Sequence, residues 1–321
     1  MHDVMTIGSA TVDILMKSPD FHLQPTEGGV LLCQNYGGKL DISDFFMQSG
    51  GAGTNTAVGF SRLGFQTAAV VEIGKDALAQ MVLDDLQREH VDTQYVVAEK
   101  LEQTAVSTIL ISAEGGRSIL THRGASAMLE PRDLPWEGLL HTRWVHLSNT
   151  GGHPELLSQL FDHLRPTLVG LSWNPGKKEL ELLRDEKLAI GKIVCDILIM
   201  NDEEWKLIES IQQKLRDQIP MIVVTAGKEG GILYRREYEY AFSARKVEAI
   251  QETGAGDAFS VGFVGAHLIG RTPEECCQWG IQNATSVVMK MGAKTGLLHR
   301  RDFEFGLLSP EEELAQQKRE I

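Results

Sequence analysis

The sequence predicts an α/β protein built on a doubly wound, mostly parallel sheet carrying a small antiparallel β lid. Three observations predict it. Short apolar, β-rich runs alternate with longer amphipathic stretches, two regions break that rhythm as strand, turn, strand, and glycine-rich turns open helical stretches. With 321 residues, 42% of them apolar, the chain can fill a large core without disulfide or metal support.

In chain order, strands are expected at Val4 to Ile7, Thr67 to Ile73, Trp144 to Leu147, Thr167 to Leu171, Ile197 to Met200 and Met221 to Thr225. Between them, Thr54 to Leu63, Ala77 to Glu89, Glu155 to Leu164, Glu203 to Gln213 and Asp257 to Ile269 carry apolar residues at helical spacing. Gly29 to Met47 reads as two strands about a Gly37-Gly38 turn, and Ala105 to His122 as two strands about Glu114-Gly115-Gly116. Neither is followed by a crossover helix. This places a main α/β domain at residues 1–12, 48–104 and 123–321, with lid inserts at 13–47 and 105–122 standing over the carboxyl ends of the strands. The alternative is an edge extension of the sheet that covers nothing. The charged tail, Pro310 to Ile321, reads as a solvated helix.

The formal charge is −13, from 31 basic and 44 acidic residues, which repels nucleic acid and anionic membranes alike. Cys33, Cys195, Cys276 and Cys277 form no CxxC pair or zinc spacing, so reduced, ordinary cysteines are expected. No uninterrupted apolar run approaches the roughly 18 residues of a membrane span, and Met1 to Ile14 lacks the basic flank of a secretory leader. These readings place the protein in the cytoplasm.

The chemistry concentrates in Glu252-Thr253-Gly254-Ala255-Gly256-Asp257. Two glycines before an amphipathic helix leave the first backbone amides unobstructed, and with the helix dipole they form a site for a phosphoryl group. Asp257, in the first turn, is placed to take a proton from a hydroxyl attacking that group. A plain helix cap is the competing reading of the same acid. Upstream, Gly50-Gly51-Ala52-Gly53-Thr54-Asn55 opens another helix; it is neither GxxxxGK[ST] nor GxGxxG, and Asn55 offers a donor and an acceptor to a hydroxylated guest. A turn that merely needs positive φ accounts for one or two of these glycines more easily than three.

Together these segments resemble the ribokinase-like (PfkB) carbohydrate kinase family, the first its GGxGxNxA element and the second its GAGD element. Lesser elements agree in order along nearly the whole chain: Gly8-Ser9 with Asp13, Asn201-Asp202-Glu203-Glu204, and Thr225-Ala226-Gly227-Lys228-Glu229-Gly230. The resemblance implies an ATP-dependent kinase with Asp257 as base and Gly254, Ala255 and Gly256 as anion hole. It implies that Asp13, Gly50, Gly51 and Asn55 hold substrate hydroxyls, that Asn201 and Glu204 organise Mg²⁺ through water, and that Thr225, Gly227 and Gly230 line the nucleotide site with Asn283 near the adenine.

The chain also departs from the family. Gln251 stands where many members carry an acid that helps bind a monovalent cation, which speaks against such an ion here unless Glu252 substitutes. Ser126 follows Arg123-Gly124-Ala125 where Gly-Ala-Asn is frequent, and Asn174-Pro175-Gly176 lacks an arginine often found there. Arg123, at the end of the second lid insert, suits a substrate bearing a phosphate or carboxylate, whereas Arg117 reads as solvent-facing. His146, His153 and Cys195 belong to no catalytic spacing. The expectation is a sugar or sugar derivative phosphorylated at a hydroxymethyl group, in a homodimer that buries the apolar lid face. The alternatives are a nucleoside kinase, with Phe21, Tyr36, Phe45 or Phe46 as a lid platform, and a binding protein without turnover.

Overall fold

The computed structural model describes residues 1–98, 101–114, 116–303 and 317–320. Its main sheet contains β1 (His2–Ile7), β6 (Thr67–Val70), β11 (Thr142–Leu147), β12 (Gly170–Trp173), β13 (Ile197–Asn201), β14 (Met221–Thr225), β15 (Gly231–Arg235), β16 (Tyr238–Phe242) and β17 (Gln317–Glu320). Their spatial order is β17-β16-β15-β14-β13-β12-β11-β1-β6, parallel from β14 to β6 and antiparallel beyond. The central runs are mostly apolar, with Thr6, His146 and Ser172 as buried exceptions, because helices cover both faces.

One face packs on α4 (Pro154–Leu164), α5 (Lys177–Arg184), α6 (Asp202–Leu207) and α7 (Gln212–Gln218), through Leu157, Phe161, Leu180, Trp205 and Leu215. The other packs on α1 (Ala52–Arg62), α8 (Ala255–Leu268) and α9 (Pro273–Val288), with Phe60, Phe259 and Trp279 in its core. Helix α8 is buried almost all round, so its first turn is fixed by packing as well as by hydrogen bonds.

The small sheet runs β10 (Arg117–His122), β9 (Ala105–Ile111), β2 (Thr11–Lys17), β5 (Asp44–Gly50), and α2 (Ala77–Arg88) packs against its base. It is antiparallel except for the parallel pair β2 and β9. Its strands reach slightly beyond the inserts read from the sequence, beginning at Thr11 and ending at Gly50. An exposed hairpin, β3 (His22–Thr26) and β4 (Gly29–Cys33), extends from it. A two-residue pair, β7 (Glu72–Ile73) and β8 (Val97–Ala98), completes the strands.

Several elements differ from expectation. Gly37-Gly38 does turn, with Gly38 donating to the Asn35 carbonyl, but it joins β4 and β5, which belong to different sheets. The strand expected at Thr167 to Leu171 is Gly170–Trp173, because Thr167 Oγ1 caps the Leu164 carbonyl and ends the preceding helix. The helix expected at Glu203 to Gln213 breaks after Leu207; Gln212 Nε2 bonds the Trp205 carbonyl, and α7 starts afresh. In the tail expected to be helical, Gln317–Glu320 is a strand beside β16, and the rest of that call falls outside the described residues.

Candidate active site

The chain turns from β1 into β2 at Gly8-Ser9-Ala10, and this turn meets the start of α1: Gly53 donates to the Ser9 carbonyl at 2.9 Å and Ala52 to Ser9 Oγ at 3.0 Å. Gly51, at φ 93°, caps α1, and a Cβ there would stand 2.6 Å from the Ser9 carbonyl oxygen, so only glycine lets the two segments meet. Gly50 lies against the Asp13 carboxylate. Asp13 is 5% exposed, receives the Thr11 hydroxyl at 3.2 Å, and is raised above the usual carboxylate range by burial.

Asn55, from α1, donates its amide to Asp257 Oδ2 at 2.8 Å, joining the two glycine clusters across 202 residues of sequence. Its own carbonyl oxygen is buried without a hydrogen-bond partner among the described residues. Gly254 opens α8 in the left-handed region at φ 82° and packs on Ala293. Ala255 donates to the Glu252 carbonyl at 3.2 Å and Ala258 is the first amide to close a helical turn, so those of Gly256 and Asp257 have no intrahelical acceptor. Burial lifts the Asp257 carboxyl to about 6; Asn55 and Lys294 oppose the rise and Asp13 adds to it.

Two cavities meet at this carboxylate. The first, of about 310 Å³, lies under the small sheet and is lined by Ser9, Thr11, Asp13, Gly51, Asn55, Ser107, Thr121, Arg123, Asn149, Gly254 and Asp257. The second, of about 270 Å³, is lined by Asn149, Asn174, Gly176, Asn201, Glu204, Thr225, Gly256 and Asp257. Ala52, Asn149 and Asp257 form their common wall. An acceptor in one cavity and a phosphoryl donor in the other would therefore meet at Asp257.

Asn201 and Glu204 cap α6 reciprocally, Glu204 donating to Asn201 Oδ1 at 2.8 Å and Asn201 to Glu204 Oε2 at 2.9 Å. Burial, with Glu179 and Glu203 nearby, raises the Glu204 carboxyl. Thr225 ends β14, and Gly227 and Gly230 form the turn after it. Arg123 faces the first cavity and makes no ion pair or hydrogen bond with the described residues. Asn283 is not brought to the site: it is fully buried, donating to the Ala258 carbonyl at 2.7 Å and accepting from Leu298 at 2.9 Å. Phe21, Tyr36, Phe45 and Phe46 line neither cavity. His146 is sealed on Ser172, and His153 contacts the Ala127 carbonyl.

Sequence patterns mark neither Ser107 and Thr121, which reach the site through strand alternation, nor Asn149 and Glu179. The carboxylate of Glu179, 0% exposed, accepts from Thr150 N at 2.8 Å, Gly152 N at 3.0 Å and Gly176 N at 3.1 Å, locking together the two loops that flank the cavities.

A large sheet roofed by a small one, over an acid beside a glycine-opened helix, marks the class: a small-molecule kinase. The chain belongs to the pfkB family of carbohydrate kinases, whose model matches residues 1–300. It is an ATP-dependent enzyme that phosphorylates a sugar or nucleoside. It is 28% identical to a fructokinase of Escherichia coli over 81% of this chain and 83% of that one. It is 26% identical to a nucleoside kinase of Methanothermobacter thermautotrophicus over 92% of each. In structure it resembles the nucleoside kinase of Methanocaldococcus jannaschii, with a TM-score of 0.77 at 21% identity, over 94% of this chain and 97% of that one. Among the described residues no helix is long and apolar enough to cross a membrane.

Proposed function

We propose that this enzyme transfers the γ-phosphoryl group of ATP to a hydroxymethyl group of a sugar or sugar derivative, with Asp257 as general base. The observation that carries the reading is the position of Asp257 on the wall common to both cavities, with free helix amides beside it. The acceptor lies in the first cavity, held by Asp13, Asn55 and the backbone at Gly50 and Gly51. Its oxygen bonds to the γ-phosphorus as the bond from phosphorus to the ADP oxygen breaks, and its proton passes to Asp257. The Gly254-Ala255-Gly256 turn forms the anion hole, in which the uncommitted amides of Gly256 and Asp257 stabilise the charge on the transferring group. Thr225, Gly227 and Gly230 border the nucleotide.

Asn201 and Glu204 fit a hydrated Mg²⁺. Glu204 keeps Oε1 out of the cap, while Asn201 shares its one side-chain oxygen with the Glu204 amide and would reach the ion through water; the raised Glu204 carboxyl sits in a negative environment that a cation relieves. When bound, the ion supplies positive charge to the phosphate oxygens. Gln251 Oε1 accepts the Gly292 amide at 2.7 Å, which leaves a neutral group where an acid would hold a monovalent cation and speaks against such an ion unless Glu252 substitutes.

A sugar rather than a nucleoside is favoured because hydroxyls, amides and carboxylates line the first cavity and none of the candidate lid aromatics does. The unpaired Arg123 favours an acceptor carrying phosphate or carboxylate. The setting proposed is the cytoplasm, where ATP is available, as a homodimer through the lid.

Coupled ADP release, with ATP and Mg²⁺ against neutral sugars, phosphorylated sugars, sugar acids and nucleosides, tests the reading. One sugar class turns over, and Asp257→Asn lowers kcat by about three powers of ten or more. Preferential turnover of nucleosides replaces the acceptor, and ATP binding without any turnover replaces the enzyme by a binding protein.

A further inference from the structure

A lysine is sealed beneath the base of the lid. Lys294 is 5% exposed, and its ammonium donates to Ser49 Oγ of β5 at 2.7 Å and to Asp85 Oδ2 of α2 at 2.8 Å. Its carbonyl accepts from Arg62 Nη1 of α1 at 2.8 Å. The residue before it, Ala293, packs on Gly254 at the opening of α8. One short segment therefore touches the lid, two helices and the turn proposed to hold the phosphoryl group.

Burying an ammonium is expensive, and one ion pair offsets that cost poorly. The surroundings supply the reason. Asp85 of α2 and Glu89 at its C-cap lie on one side, and Arg62 is committed to both oxygens of Glu89 at 2.9 and 2.7 Å. On the other, Ser49, which Lys294 bonds, pairs with Val12 and precedes Gly50 against the Asp13 carboxylate, and Ala293 meets Gly254 three residues before Asp257. Burial raises both the Asp13 and Asp257 carboxyls; the Thr11 and Asn55 hydrogen bonds oppose the rise first and the charge of Lys294 adds to them, while burial lowers the lysine's own titration below the usual range.

We propose that Lys294 is a positioning residue for phosphoryl transfer: a built-in counter-cation to Asp13 and Asp257 that also struts the lid against the glycine turn. The inference rests on the reading of Asp257 as base. Two carboxylates beside one substrate repel each other's charge, and in a poorly solvated wall a fixed cation offsets that repulsion more strongly than mobile salt ions.

The test pairs Lys294→Met with Asp85→Asn, so that neither charge is left buried alone, and reads kcat against pH with ATP and an accepted acceptor. The acid limb is expected to rise by about one pH unit, so that turnover near pH 6 falls several-fold more than at pH 9. Lys294→Arg, which keeps the cation, restores the limb. Should the pair fail to fold, Lys294→Gln with Asp85→Asn supplies the same reading in closer shape. A folded variant with the limb unmoved, or with activity lowered equally at every pH, overturns the proposal. Full turnover in Asp257→Asn would instead overturn the base assignment itself.

Discussion

As the proposed base, Asp257 must be charged to accept a proton yet sits where charge is costly. Its folded-state carboxyl titrates at about 6, above the ordinary 3.8, so folding favours its protonated form. That contribution is complete below about pH 4 and is lost as pH rises through 6; at neutral pH the ionised acid destabilises the fold by up to about 3 kcal/mol. Asp257→Asn is therefore expected to unfold a few degrees higher than the parent at pH 8, with the gap closing toward pH 4, as thermal scans across pH would show. Asp257 and Asn55 were legible because each follows glycines at the start of a helix. Lys294 was not, since its partners lie 245 and 209 residues away and its local sequence carries no pattern. Asn283 misled for a related reason: an amide on a buried helix can be spent entirely on backbone.

At the scale of elements, the loops after β11 and β12 owe their shape to Glu179. Glu179→Ala leaves the amides of Thr150, Gly152 and Gly176 without their buried acceptor. The expected cost is about 3 to 5 kcal/mol, seen as a fall in Tm of roughly 5 to 10 °C by calorimetry. The parallel strands were readable as apolar runs, and α1, α2, α4 and α8 as periodic ones. Helix α9 was not among the expected helices, although its Thr272-Pro273-Glu274-Glu275 cap, in which Glu275 donates to Thr272 Oγ1 at 3.3 Å, is a local start signal. Strand β3 escaped because it is exposed along its whole length and carries no alternation, whereas β4 was readable as a strand but its pairing with β3 was not. Sheet membership of β4 and β5 was illegible for a different reason: a turn shows where the chain bends, not which strand it then pairs with.

For the whole molecule, alternation along the small sheet turns Thr11, Asp13, Ser107 and Thr121 toward the cavity and Phe45, Met47 and Leu120 away from it. Phe45 is 58% and Leu120 63% exposed. The proposed homodimer buries this outward face against a second copy. Light scattering is expected to give twice the chain mass for the parent and the single-chain mass for Phe45→Asp with Leu120→Asp; a parent already at single-chain mass would remove the dimer.

The two cavities also differ in their doors. Residues of the small sheet wall the acceptor side, whereas the described lining of the donor side comes wholly from the large domain. Traffic through them is thus unequal. On the proposed assignment of nucleotide to the second cavity and acceptor to the first, spent nucleotide is expected to leave without movement of the small sheet and the phosphorylated product only with it, so the roof that shields the reaction would also set the order of departure.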